Sequence, residues 1–243
     1  MIDPNNIQEI EQLNQDDIVF PLIDYHLHLP LNLPDTTLLA AYTNILNNVE
    51  QEFLEGLVWN NNGDIHWQNE MLQHLSDSIF NMINQYHIKP SDQLLTKIFI
   101  WIQLWGGNSG RSVFIRGHGW PQNFNIGQYS NGVHEILNAN FQEALNILNG
   151  IYGLSTAFST KHIHFWSNAF APIYDSTIAA IIFGRNRKQV RPHEYLQYIN
   201  SLDQLIEEIN NNQVTRSSIE RNLFNWANSP LGIQWSNLRL GIE

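Results

Sequence analysis

The chain of 243 residues contains no cysteine. That excludes disulfides, cysteine-ligated zinc and a cysteine-held iron–sulfur cluster. It has no apolar run of the ~18 residues that a membrane span needs. Its acidic opening, MIDPNNIQEIEQLNQDD, carries no apolar stretch of the secretory kind. These absences predict a cytoplasmic protein, and no cofactor is expected. Positive charge is scarce too: Lys and Arg number 12 against 23 acids, a formal net charge of -11. Such a balance speaks against a protein that coats nucleic acid indiscriminately, because phosphate neutralisation drives that binding.

The scarcity is uneven. Residues 1–94 hold one Lys and no Arg against 14 acids, whereas residues 95–191 hold eight Lys or Arg against three. The positive charge is concentrated in one segment, which is the footprint expected for an anionic partner. A solvated surface with irregular charge would explain part of the pattern.

Hydrophobic residues make up 43% of the chain and aromatics 12%, a globular composition. Residues 18–34, broken by three prolines, read as a short strand or extended strap. From Leu38 to Leu57 apolar residues recur at helical spacing. A second helix runs from Trp67 to Tyr86 and stops at Lys89-Pro90; Ser91 then caps a very apolar helix, Leu94 to Trp105, closed by Gly106-Gly107. Further helices are expected over 133–149, 158–169, 174–184, 192–211 and 216–227. Beyond residues 18–34, only Ser112 to Arg116 hints at the strand period. The expectation is a mainly α protein of two helical lobes. An acidic N-terminal part, 1–93, would pack on a core of residues 94–243.

The densest signal is Ile147 to Gly184, which reads as helix, tight hairpin around Gly153, helix, short turn fixed by Pro172, then Asp175 heading another helix. Helix N-termini offer unpaired amides to phosphates. Over residues 94–191 this arrangement resembles the helix-hairpin-helix DNA glycosylases, with their GPD loop and essential aspartate. More narrowly, it is similar to bacterial proteins described as having an 8-oxoguanine glycosylase fold. The resemblance implies a two-lobed fold, a modified base everted from double-stranded DNA, and Asp175 as the catalytic carboxylate. A carboxylate suits that task because breaking an N-glycosidic bond develops an oxocarbenium-like sugar. Its ordinary alternative is a helix cap.

The resemblance implies a role for Lys161 as well, since bifunctional members attack the sugar with a lysine. The register differs: Ala157 matches the nucleophile position, and Lys161 follows one turn later on the same helix face. The expectation is therefore a monofunctional enzyme, monomeric, in which Lys161 contacts a phosphate or the base. A shifted hairpin would restore Lys161 as nucleophile.

Contacts to DNA are expected from Gly153 and Ser155 of the hairpin and from Asn108, Ser109, Arg111 and Arg116 of the Gly-rich loop. The cluster Arg185, Arg187 and Lys188 is expected to join them. The alternatives are an ordinary Gly-rich turn and cations that offset a helix dipole. Trp105, His162 and Trp166 are candidates for the base pocket, although aromatics on apolar helices are mostly core. His26 and His28, alternating after IVFPLI, resemble the metal-binding opening strand of amidohydrolase barrels. Such a barrel needs many more strands than this sequence offers.

Within the bacterial group that the chain resembles, some proteins are similar to defence enzymes that remove hypermodified bases, such as glucosylated hydroxymethylcytosine, from phage DNA. That implies a substrate of this kind, with 8-oxoguanine repair as the alternative. A DNA-binding module without chemistry and a metal-dependent hydrolase at His26 and His28 are the other readings.

Overall fold

The computed structural model describes residues 57–59, 65–67, 69–106, 124–184 and 190–240. Most of these are helical. The chain's internal contacts divide it into two units.

One unit holds two short strands, β1 (Leu57–Trp59) and β2 (Ile65–Trp67), and the helices α1 (Asn69–Ile88) and α2 (Asp92–Trp105). It also takes the start of α3 (Ile126–Leu137), as far as Ser130, and the turn Gly150–Leu154. The strands pair antiparallel with Val58 opposite His66. Helical periodicity through Leu57 and a helix starting at Trp67 were expected here, so both ends are corrected. Each three-residue strand is too short for a period to declare itself.

Helix α1 stops where Pro90 withholds an N–H and bars the preceding residue from the helical region. Ser91 restarts the chain in extended backbone, and its hydroxyl accepts the Leu94 amide at 3.2 Å. Leu95 and every residue from Ile98 to Trp105 are buried, so α2 is an interior helix. It packs on α1 through Leu72, Leu75, Ile79, Met82 and Ile83, and the Trp105 indole donates to Ser76 Oγ at 2.9 Å.

The other unit takes the remainder of α3 from Asn131, then α4 (Phe141–Asn149), α5 (Thr156–Trp166) and α6 (Ser176–Phe183). It continues through α7 (Glu194–Ile209), α8 (Arg216–Ala227) and α9 (Pro230–Leu240). Here α6 and α7 both pack on α8, α9 covers α6 and α8, and α4 packs on α5 and α7.

Where one helix was expected over 133–149, two are found. Ala139 takes a left-handed φ of 59°, and the Asn140 amide reaches back to the Glu135 carbonyl at 2.9 Å. This is a helix-ending turn built on alanine rather than glycine. The apolar repeat passes through it unbroken, from Val133 and Ile136 to Phe141, Ala144 and Leu148, so periodicity alone does not register the stop. The same device ends α5 at Trp166 rather than 169: Asn168 and Ala169 have φ of 52° and 60°, and the Ala169 amide bonds to His164 O at 2.8 Å. Helix α9 was not expected at all. Close packing of α3 and α4 requires Gly132, since a Cβ there would stand 2.8 Å from Leu148 Cδ2. Among the described residues no helix is long and apolar enough to cross a membrane.

The strap at 18–34, the helix from Leu38 to residue 56 and the strand at 112–116 lie outside the described residues.

Candidate active site

The loop from Ser167 to Asp175 is held from three helices of its own unit. From α5, the Thr160 hydroxyl accepts the Tyr174 amide at 3.1 Å and shares its one hydrogen between the carbonyls of Ala157, at 3.0 Å, and Tyr174, at 3.2 Å. His164 Nδ1 lies 2.9 Å from the Ala171 carbonyl, so that nitrogen carries the hydrogen. From α7, the Tyr195 hydroxyl donates to Pro172 O at 2.9 Å. From α8, Ser217 Oγ donates to the Ala169 carbonyl.

This fastening delivers Asp175 to the head of α6. Its Oδ1 accepts the amides of Thr177 and Ile178 at 2.9 and 3.0 Å, so the capping role is real. The other carboxylate oxygen, Oδ2, is buried and has no hydrogen-bond partner. A helix cap uses one oxygen. The second keeps its acceptor capacity in a residue only 2% exposed, which is costly unless a donor is supplied.

Lys161 follows Thr160 directly and is buried on α5, its Nζ 4.4 Å from the centre of the Phe158 ring. Burial lowers its basicity, while the negative charges of Asp175 and Glu220 act in the opposite sense. The amine and both carboxyls are therefore within electrostatic reach of each other. Ala157, the position matching the family nucleophile, sits one turn earlier and half-buried.

Two further groups complete the cluster. Glu220 on α8 is buried, and its carboxyl is pushed up to about 8, mainly by burial, with Asp175 adding and Arg221 and Lys161 opposing. The Tyr198 hydroxyl on α7 is buried without a hydrogen-bond partner, and burial followed by the charges of Glu220 and Asp175 raises its pKa. Beside them the Tyr174 hydroxyl donates to Glu194 at 2.8 Å, and the Tyr174 ring stacks on Tyr195 at 6.2 Å. Neither Glu220 nor Tyr198 stood out in the sequence reading. The available signal was an acid on the core stripe of α8, between Ile219 and Leu223.

The remaining expected residues are distributed as follows. Gly153 adopts a left-handed φ of 86°, which a tight turn needs and side chains resist. Ser155 is the exposed N-cap of α5, and its hydroxyl makes no capping bond. Trp105 is buried at the end of α2; His162 and Trp166 are buried on α5. His162 is pushed down to about 3 by burial, with the Lys161 charge adding, and is neutral. Asn108, Ser109, Arg111, Arg116, Arg185, Arg187, Lys188, His26 and His28 lie outside the described residues. Among the described residues no group of three or more His, Asp or Glu side chains is disposed to hold a metal ion.

Compared with protein-family models, with curated proteins and with solved structures, the chain matches none of them. A functional reading therefore rests on these residues themselves: an amine of reduced basicity, a carboxyl with an unsatisfied oxygen, a second carboxyl raised by burial and an unpartnered phenol.

Proposed function

We propose that this chain is a DNA glycosylase. It takes an everted, modified nucleotide from double-stranded DNA, hydrolyses the N-glycosidic bond and leaves an abasic site. The observation that carries the reading is that Lys161 and Asp175 are both buried and that the Asp175 charge acts on the amine. Residues 14 apart in sequence are fastened through their preceding neighbours, Thr160 and Tyr174, and Asp175 retains one oxygen that its helix does not use. As the base leaves, that oxygen faces the sugar cation, and it orients or deprotonates the attacking water. Lys161 contacts the base or a phosphate. Both groups lie below the surface, so the nucleotide reaches them only when covering residues give way.

The substrate we favour is a hypermodified base of phage DNA, such as glucosylated hydroxymethylcytosine. A modest basic segment in an acidic chain suits densely modified DNA better than a search through a normal genome. Repair of 8-oxoguanine is the alternative. Incubation with genomic DNA from differently modified phages, followed by mass spectrometry of released bases, tests the reading. Release of no base from any modified or oxidised duplex overturns it.

A second reading has its own support. Burial that lowers the basicity of Lys161 raises the share of free amine, the form that attacks a sugar carbon. In that case the enzyme is bifunctional and also cleaves the strand.

A further inference from the structure

The turn of Asn168 and Ala169, the second half of α7 and the first turn of α8 line a cleft of about 750 Å³. All of these residues belong to the unit that holds α4 to α9. Its apolar lining is Ile206, Val214 and Phe170, and Phe170 is 58% exposed. Its polar lining centres on Arg216, whose Nε and Nη2 donate to the two Asp203 oxygens at 2.5 and 2.6 Å. That fork occupies one edge of the guanidinium and fixes its plane, which lies 4.4 Å from the centre of the Phe170 ring. The third nitrogen, Nη1, is buried and has no hydrogen-bond partner, so an acceptor belongs beside it. The Asp203 side chain is 39% exposed, and each of its oxygens has a lone pair beyond the one Arg216 uses.

Charge decides which acceptor fits. Asp203 cancels Arg216, and α7 adds the exposed Glu207 and Glu208 and the negative end of its dipole. The start of α8 is closed by its own side chains: the Thr215 hydroxyl takes the Ser218 amide, and the Ser218 hydroxyl takes the Thr215 amide. No spare positive charge is left for a phosphate or carboxylate. The cleft suits an uncharged, flat group that carries an acceptor and a donor side by side.

We propose that this cleft binds a nucleobase, stacked on Phe170 and held at one edge by Arg216 and Asp203. Each nucleobase places an acceptor next to an N–H on its pairing edge, and proteins read unpaired bases by that edge and by stacking. The acceptor takes a hydrogen from Arg216 Nη1, and the N–H donates to Asp203. The Phe170 ring lies against the guanidinium, so it shifts to admit the edge; a side chain this exposed is held by few contacts. Asp175 is buried and does not line the cleft. The inference therefore goes beyond base excision and does not depend on it, since the cleft holds a base without breaking a bond.

The test uses the full nitrogen-15-labelled chain and reads the Arg216 Nε–H signal and the amides of residues 168–170 and 215–217. Guanosine and uridine, added to millimolar concentration, should shift these signals saturably. Inorganic phosphate and benzoate should not, because the cleft has no net positive charge to offer. Benzyl alcohol, a ring without the paired edge, should bind far more weakly than either nucleoside. A four-nucleotide single strand that binds more tightly than the nucleoside assigns the site to an unpaired base of a nucleic acid; equal affinity assigns it to a free base. Phe170→Ala should weaken nucleoside binding at least about fivefold, and Phe170→Tyr should restore it. Base release plays no part in any of these readings, so failure of the proposed excision leaves them intact. Wild-type protein whose cleft signals ignore both nucleosides would overturn the proposal, as would phosphate or benzyl alcohol shifting them equally well. A folded Phe170→Ala protein that binds like wild type would do the same.

Discussion

Thr160 holds Tyr174 by its amide: the hydroxyl accepts that N–H at 3.1 Å and shares its one hydrogen between the Tyr174 carbonyl at 3.2 Å and the Ala157 carbonyl at 3.0 Å. Each is the residue immediately before a member of the candidate pair, Lys161 or Asp175. The contact therefore fixes the register of α5 against the loop that presents the carboxylate. Thr160→Val keeps the shape and removes the hydroxyl's bonds to the Tyr174 backbone. It should cost about 1–3 kcal/mol in a urea titration, and Thr160→Ser should recover most of that. A Val variant as stable as wild type would show that the register is held elsewhere.

Asp175 has two duties that different substitutions separate. Asparagine caps helices about as well as aspartate, so Asp175→Asn should keep α6 while removing the negative charge. Base release should fall by about 10²-fold or more, with DNA affinity within a few-fold. Alanine loses the cap as well and should destabilise the fold by roughly 0.5–2 kcal/mol. Wild-type turnover by the Asn variant would remove Asp175 from the chemistry.

Stability should depend on pH in two opposed ways. The Glu220 carboxyl is raised to about 8 from the ordinary 4.5, so the native state holds more protons between those values. Its contribution is complete below pH 4.5 and is lost as pH rises through 8, on the order of a few kcal/mol. His162 and His164, pushed down to about 3 and about 4, act in reverse: their contribution is present above 6.5 and is lost as pH falls through those values. Melting temperature should rise from pH 5 to about 6.5, where the two histidines outweigh the one carboxyl, and decline from there to about 8; Glu220→Gln should remove that decline. An equal decline in the variant would assign it to another group.

Hydrolysis and covalent attack leave different products. If water attacks the sugar, borohydride traps no protein–DNA adduct, the strand breaks only after heat or alkali, and Lys161→Ala keeps part of the excision rate. A trapped adduct that vanishes in Lys161→Ala would establish the bifunctional course instead.

Much of the second unit was legible because its helices carry their own punctuation. Asp175 before STIAAIIF and the boundaries of α8 follow from capping chemistry and apolar spacing. The stops at Ala139 and Ala169 were not legible. Each puts a non-glycine residue in the left-handed region, at a local cost of about 1–2 kcal/mol that packing must offset, and no local signal announces it. At the site, Asp175 and Lys161 were legible as residue types placed near a turn. Glu220 was not, because an acid on an amphipathic helix is ordinarily solvated, and only the packing of α8 turns this one inward.

The first turn of α8 grips the loop that ends at Asp175: Ser217 holds the Ala169 carbonyl, and the Arg216 guanidinium lies over the Phe170 ring at 4.4 Å. Loop and α8 should therefore open together, which native-state hydrogen exchange would read as one unit. In that case the Thr177 and Ile178 amides, bonded to Asp175, should exchange at the rate of the α8 amides. A change that loosens the first turn of α8 would then reach the candidate site through the loop rather than through α5.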